Sequence, residues 1–468
     1  MRPGWSRWRK VFAFQFVILV AFAAALEGAC RLFFKDVADR TAYSLIPRKS
    51  ATPVQSATFT VPGVADCRCQ GSPECRLEVP FREQTFPCAP AVGATRILFL
   101  GESSVYGALL RPEETVPEQV KKSAAIRGVT VEPINGGISG RGLDTLFDVL
   151  RFLVPRVRPD IVVVYAGHNE VYPLTWYDAS ALPKSLRDED RYYAAFRTFA
   201  CLRLGSHVAR RLIWNWETRK VHEDPDNCSR SNNDLVLDEK TFAQISAYRP
   251  VLWENSRIKL GWILDYCRQA GIKVLFCTPT GNLLLPPASP SHGPAYLARR
   301  ADWDARWAVA DGRLKGGRWR EARESFAALI ELDPEYAPTY HGLGIASLNL
   351  NDVAAARAWF DRCLDTIYIY RPVCHSLDPA PPSLVSALVE AARERDVPSW
   401  DTGEALRGGI NPDHDPSLFL DRLHFSRTGA RVFAERLVEH LLQAGWLAGG
   451  PRRDALPNLP RRMERAKP

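Results

Sequence analysis

The sequence predicts an α/β fold: a three-layer α/β/α sandwich with a central parallel sheet, plus an inserted all-α helical-repeat subdomain. Three observations lead there. Short, largely apolar runs at residues 96–100, 160–166 and 272–277 suit strands buried on both faces, as in a parallel sheet. Segments with helical spacing separate them, and that alternation is the order of a doubly wound sheet. Farther on, Gly317, Ala322 and Phe326 recur 34 positions later as Asn351, Ala356 and Phe360, the period of paired-helix repeats.

Taken in order, Arg2, Arg7, Arg9 and Lys10 precede a run over 11–26 that is apolar apart from Gln15. It reads as a signal anchor or a signal peptide, and the apolar character that resumes past Glu27 favours an anchor over 1–35. Either way the body of the protein is exported. A lead-in over 36–95 holds Cys67, Cys69, Cys75 and Cys88 among Pro and Gly. The first strand stops at Gly101, and Ser103 and Ser104 follow at the sheet's carboxyl edge, where open α/β sheets place their sites. Residues 112–122 predict a helix with Glu113, Glu114 and Glu118 toward its N-terminus. A weaker strand over 129–134, interrupted by Glu132 and Pro133, runs into Asn135-Gly136-Gly137-Ile138-Ser139-Gly140.

Helical spacing from Leu143 closes at Pro155 and Pro159. The strand over 160–166 enters Gly167-His168-Asn169-Glu170, and residues 171–245, aromatic and Arg-rich without periodicity, read as a lid or substrate-side insertion. A helix over 256–270, a strand over 272–277 and a proline-rich linker over 279–294 complete the first part of the sheet domain, 96–295. The insert, 296–370, resembles tetratricopeptide repeats in its period. Leu332-Asp333-Pro334 ends one unit, Tyr340, Leu343, Gly344 and Ala346 open the next, and the repeated small and aromatic positions are packing residues. The sheet resumes near 398–402 in a second part, 371–445. There Asp421-Arg422-Leu423-His424 precedes an amphipathic helix with Ala430, Val432, Phe433, Leu437, Val438 and Leu441 on one side. A basic tail over 446–468 follows.

The formal net charge of +8 collects largely at the two ends. No basic stripe interleaved with aromatics occurs in the interior, which argues against a nucleic-acid partner. The cysteines fit export: the four in the lead-in are either disulfides stapling a loop without a core or zinc ligands, and their C-x-C-x5-C spacing is not a usual finger pattern. Cys363 with Cys374, and Cys201 with Cys228, bracket segments that disulfides would close.

Neighbouring strands of a parallel sheet end side by side, so Ser103, Gly140 and Asn169 converge with Asp421 and His424 from the C-terminal segment. Acyl transfer needs such a group: a serine that attacks, a histidine that takes its proton, and a carboxylate that orients the histidine. The oxyanion needs donors, which the backbone N–H groups of Ser103 and Gly140 and the Asn169 amide supply. Asp413-His414-Asp415 offers another histidine and carboxylate, His168 reads as a loop residue beside the oxyanion donor, and Ser104 is displaced by one position.

The blocks G-E-S-S-V-Y-G, I-S-G, G-H-N-E and D-R-L-H stand in this order over 96–280 and 398–445. Together they resemble the SGNH/GDSL hydrolase family. The resemblance implies Ser103 as nucleophile, His424 as base, Asp421 as the residue orienting it, and Ser103, Gly140 and Asn169 as the oxyanion hole, with neither cofactor nor metal. Glu102 and Glu170 stand where the family has Asp, positions without a catalytic role. The implied activity is hydrolysis of acyl or acetyl esters; the N-terminal run makes it the activity of a membrane-anchored enzyme outside the cytoplasm, and aromatic residues such as Trp176, Tyr177, Trp214 and Trp216 point to acylated carbohydrate as a substrate. Two alternatives keep the same residues. One is an O-acyltransferase of envelope polysaccharide, and the other is a scaffold that binds a protein partner in its repeat groove and has an inactive site.

Overall fold

The structure, a computed structural model, describes residues 15, 21–29, 74–77, 81–174, 235–288, 290–368, 378–406 and 416–447. Residues 175–234 of the predicted lid, Cys67, Cys69, Cys201, Cys228, Cys374, Asp413-His414-Asp415 and the basic tail past residue 447 lie outside the described residues, as does most of the predicted anchor. The chain divides into two compact units. One comprises Met1–Val64, Ser185–Glu223 and Arg461–Pro468, within which residues 21–29 are helical. No helix among the described residues is long and apolar enough to cross a membrane. The other unit, Ala65–Lys184 and Asp224–Pro460, holds every element described next.

It opens with an antiparallel hairpin, β1 (Glu74–Leu77) and β2 (Gln84–Pro87). Then come β3 (Thr95–Gly101), the single turn α1 (Ser103–Tyr106), α2 (Val116–Ile126), β4 (Val131–Gly137), α3 (Leu143–Val157) and β5 (Ile161–Tyr165). After β6 (Leu235–Val236) a long helix, α4 (Glu239–Gln269), leads to β7 (Lys273–Cys277) and the short β8 (Ser291–His292), which pairs with β6. Four successive helices follow, α5 (Tyr296–Lys315), α6 (Trp319–Ile330), α7 (Ala337–Asn349) and α8 (Val353–Asp365). The chain returns through α9 (Pro382–Arg393), β9 (Ser399–Trp400), α10 (Thr402–Leu406) and α11 (Arg427–Gln443).

The central sheet is parallel throughout, in the order β4-β3-β5-β7-β9. Its register sets Gly101, Gly137, Tyr165, Cys277 and Trp400 in one row at the carboxyl edge. From β3 the chain crosses to one side, to β4, and from β5 to the other, to β7, so the switch point lies between β3 and β5. Strand side chains alternate between two buried faces. Ile97, Phe99, Ile161 and Val163 pack with α2 and α11, while on the other face Leu98 lies near Leu153 of α3. The sheet is thus a sandwich with helices on both sides, as the alternation of runs predicts.

Several boundaries differ from the sequence reading. The segment over 112–122 is a 3-10 turn, Pro112–Glu114, and then α2, because Pro117 lacks the N–H a continuous helix would need. Helix α3 continues through Pro155 and stops at Arg158, which takes a left-handed conformation (φ 47°) before Pro159. β4 runs through Pro133 to Gly137, which an edge strand tolerates because one row of its N–H groups pairs with no strand among the described residues. α4 begins far upstream of residue 256, with Asp238 accepting a bond from the Thr241 N–H as its cap. The proposed Cys363–Cys374 bridge is not formed: Cys363 lies buried as a free thiol on α8. Cys88 in the lead-in is disulfide-bonded.

The lead-in has apolar anchors of its own, with Leu77, Phe81 and Phe86 buried. Arg96, fully buried, binds Glu132 and the carbonyls of Pro87 and Val157, tying the hairpin to the sheet. In the helical insert, the rings of Phe326 and Phe360 pack against Gly342 and Gly344 of α7.

Candidate active site

Every predicted site residue in the described part follows the carboxyl row of the sheet. Ser103 is the first residue of α1, two positions past β3, and Gly101 before it has no room for a side chain: a Cβ there would sit 2.4 Å from the Tyr165 carbonyl oxygen. Gly140 lies in the turn after β4 with φ +69°, and Ile138 in that turn donates its N–H to the Gly101 carbonyl at 2.9 Å. Asn169 lies in the 3-10 turn His168–Leu174 after β5.

Asp421 and His424 come from the loop ahead of α11. A bridge between Phe419 and Phe425 closes that loop, and the Ser426 hydroxyl caps the helix by accepting the Gly429 N–H at 3.0 Å. The two oxygens of Asp421 do different work. Oδ1 accepts the backbone N–H groups of Leu423 (2.9 Å) and His424 (2.8 Å), forming the turn, while Oδ2 meets His424 Nδ1 at 2.6 Å. His424 Nε2 then lies 2.8 Å from Ser103 Oγ. Burial pushes the Asp421 carboxyl up, but the bonds from the His424 ring and backbone and the Leu423 N–H outweigh it, and the group titrates below the ordinary aspartate range. An ionised Asp421 fixes the proton on Nδ1 and leaves Nε2 free to accept from Ser103. Ser103 and His424 are both buried, at 9% and 5% exposure.

Ser104 does not face the histidine; its hydroxyl donates to the Leu423 carbonyl (3.2 Å), tying the turn of Ser103 to the loop of His424. His168 is buried, and its Nδ1 accepts the Ala380 N–H at 3.1 Å. Burial, with the neighbouring His424 adding, pushes it down to about 3, so it stays neutral and is no base. The Asn169 amide donates one hydrogen to the Arg141 carbonyl (3.0 Å), which sets its orientation and leaves the second hydrogen to donate elsewhere.

Two buried acids do more than the motifs suggested. Glu102, the residue before Ser103, accepts the N–H groups of Gly167 and Asn169. Glu170 accepts the N–H of Leu143, the first residue of α3, at 2.7 Å and the Ser256 hydroxyl at 3.1 Å, with Lys259 Nζ at 3.9 Å. It thus serves as an acidic cap for α3 supplied by another element. Gly142 is required beside it, since a Cβ there would lie 2.3 Å from Glu170 Oε1. The sequence signal for these roles is an acid inside each motif block, Glu102 directly after β3 and Glu170 in the turn after β5.

No protein-family model matches this chain, and no curated protein matches it. Among solved structures, it is similar to the lipase/acylhydrolase from Enterococcus faecalis, at 14% identity over 75% of this chain and 96% of that one, with a TM-score of 0.30. An acetyl xylan esterase matches at 13% identity over 74% and 99%, TM-score 0.30. A GDSL-like lipase from Bacteroides thetaiotaomicron matches at 11% identity over 75% and 89%, TM-score 0.26.

Proposed function

We propose that this protein is an exported, membrane-anchored serine hydrolase acting on acyl or acetyl esters, acylated carbohydrate among them. The observation that carries the reading is the hydrogen-bonded chain from Asp421 through His424 to Ser103 at the switch point of a parallel sheet. Ser103 Oγ attacks the ester carbonyl carbon while its proton passes to His424 Nε2, and Asp421 stabilises the imidazolium. The oxyanion is held by the backbone N–H groups of Ser103 and Gly140 and the free hydrogen of the Asn169 amide. Collapse expels the alcohol, which takes the proton from His424, and a water repeats the sequence on the acyl-enzyme to release the acid. Export is supported by the basic cluster ahead of the apolar run and by the disulfide at Cys88, a bond of oxidising compartments. We further propose that the insert is a tetratricopeptide-like module whose groove takes a protein partner.

The test is hydrolysis of p-nitrophenyl acetate and longer esters by the full-length protein beside Ser103→Ala. The expected result is a burst and steady turnover in the parent, both absent in the variant. Equal rates in the two proteins would overturn the reading.

A further inference from the structure

Glu102 stands immediately before Ser103, 2% exposed, with its side chain turned away from solvent and across to the next turn of the sheet edge. Its Oε1 accepts the Gly167 N–H at 3.0 Å and the Asn169 N–H at 3.2 Å, and Oε2 lies 3.2 Å from the same Asn169 nitrogen. One side chain therefore joins the residue next to the proposed nucleophile to the backbone of the proposed oxyanion donor. The rest of that turn is held from other directions. The Asn169 amide is fixed on the Arg141 carbonyl, and Glu170, the next residue, is fixed on Leu143 and Ser256.

Resting on the serine-hydrolase reading, we propose that Glu102 is a positioning residue that sets the Asn169 amide at its working distance from Ser103. A buried N–H needs some acceptor, but an ionisable carboxyl is a costly one. Burial, with the charge of Glu170 adding, pushes Glu102 up to about 8 even though the Gly167 and Asn169 N–H groups favour its ionised form. The cost falls where a displacement of about 1 Å changes rates by about 100-fold. Position therefore matters more than charge, and the two N–H groups that converge on Oε1 mark the oxygen that has to be in place.

The experiment compares full-length parent, Glu102→Asp, Glu102→Gln, Asn169→Ala and the double variant Glu102→Asp/Asn169→Ala, by kcat and KM on p-nitrophenyl acetate with circular dichroism as the check of folding. Aspartate, one methylene short, is expected to lower kcat by about 10- to 100-fold with KM within about twofold. Glutamine keeps an oxygen for both N–H groups and is expected to recover kcat to within about fivefold of the parent. On the Asn169→Ala background the aspartate substitution is expected to cost almost nothing further, because Glu102 acts through Asn169. Parent-like kcat in a folded Glu102→Asp, a glutamine variant as slow as the aspartate one, or costs that multiply in the double variant would each overturn the assignment while Ser103-dependent turnover stands. If the parent showed no Ser103-dependent turnover, the hydrolase reading and this assignment would fall together.

Discussion

At the scale of single residues, the site is surrounded by buried ionisable groups whose protons respond to folding in opposite directions. The Glu102 carboxyl is pushed up to about 8 from 4.5. Between those values the folded chain holds a proton that the unfolded chain has released, so this group's stabilising contribution is full at acid pH and is lost as pH rises toward 8. His168, pushed down to about 3 from 6.5, works the other way, and its contribution is lost on acidification through that window. Glu102→Gln removes only the first. Its Tm relative to the parent is expected to climb from pH 5 to about 8 and then level. Thermal melts across that range check it, and parallel curves for the two proteins would contradict it.

At the scale of elements, close backbone approach decides where side chains are forbidden. In the helical insert α7 is clamped between aromatic rings from both neighbours: a Cβ on Gly342 would lie 2.6 Å from Phe326 Cζ, and one on Gly344 would lie 2.5 Å from Phe360 Cε1. Both rings are buried, so neither has space to withdraw. Replacing a helical glycine by alanine ordinarily gains about 0.5–1 kcal/mol. Overpacking costs about 1–3 kcal/mol, and here the overlap wins. Gly344→Ala is therefore expected to lower thermal stability while leaving ester turnover per folded molecule unchanged, since no proposed site residue lies on α5–α8. A melting curve and a rate measured on the same preparation check both halves.

At the scale of the sheet-bearing unit, the two ends of the helical insert are joined to the loop that carries Asp421 and His424. The linker after β7 donates the Asn282 N–H to the Arg422 carbonyl at 2.8 Å. Arg422 Nε reaches the Pro286 carbonyl at 3.1 Å and Asp378, on the returning segment, at 3.4 Å. Ala380 on that segment holds His168. Arg422→Ala takes away the side-chain links and is expected to reduce both Tm and kcat, the latter about tenfold, because the loop holding His424 loses its outer anchor. Thermal unfolding and kcat on p-nitrophenyl acetate check it. A variant that melts earlier with an unchanged kcat would show that the anchor serves stability alone.

Much of the fold was legible in the chain. Apolar runs of strand length alternating with helical spacing have few ways to bury themselves, so Ile97–Leu100, Ile161–Tyr165 and Lys273–Cys277 announce a covered parallel sheet before any contact is known. The spacing of Asp421 and His424 likewise prescribes a local turn, because the carboxyl oxygens reach N–H groups two and three residues on. What the sequence could not express is distance between segments. That Ser103 and His424 meet across 321 positions, that Ser104 serves the Leu423 carbonyl, and that Glu102 reaches Asn169 all depend on strand order and register. Local chemistry determined which groups the chain carries and which elements it forms. Only the tertiary structure decided their partners, because burial and hydrogen bonding act between residues that share space rather than sequence.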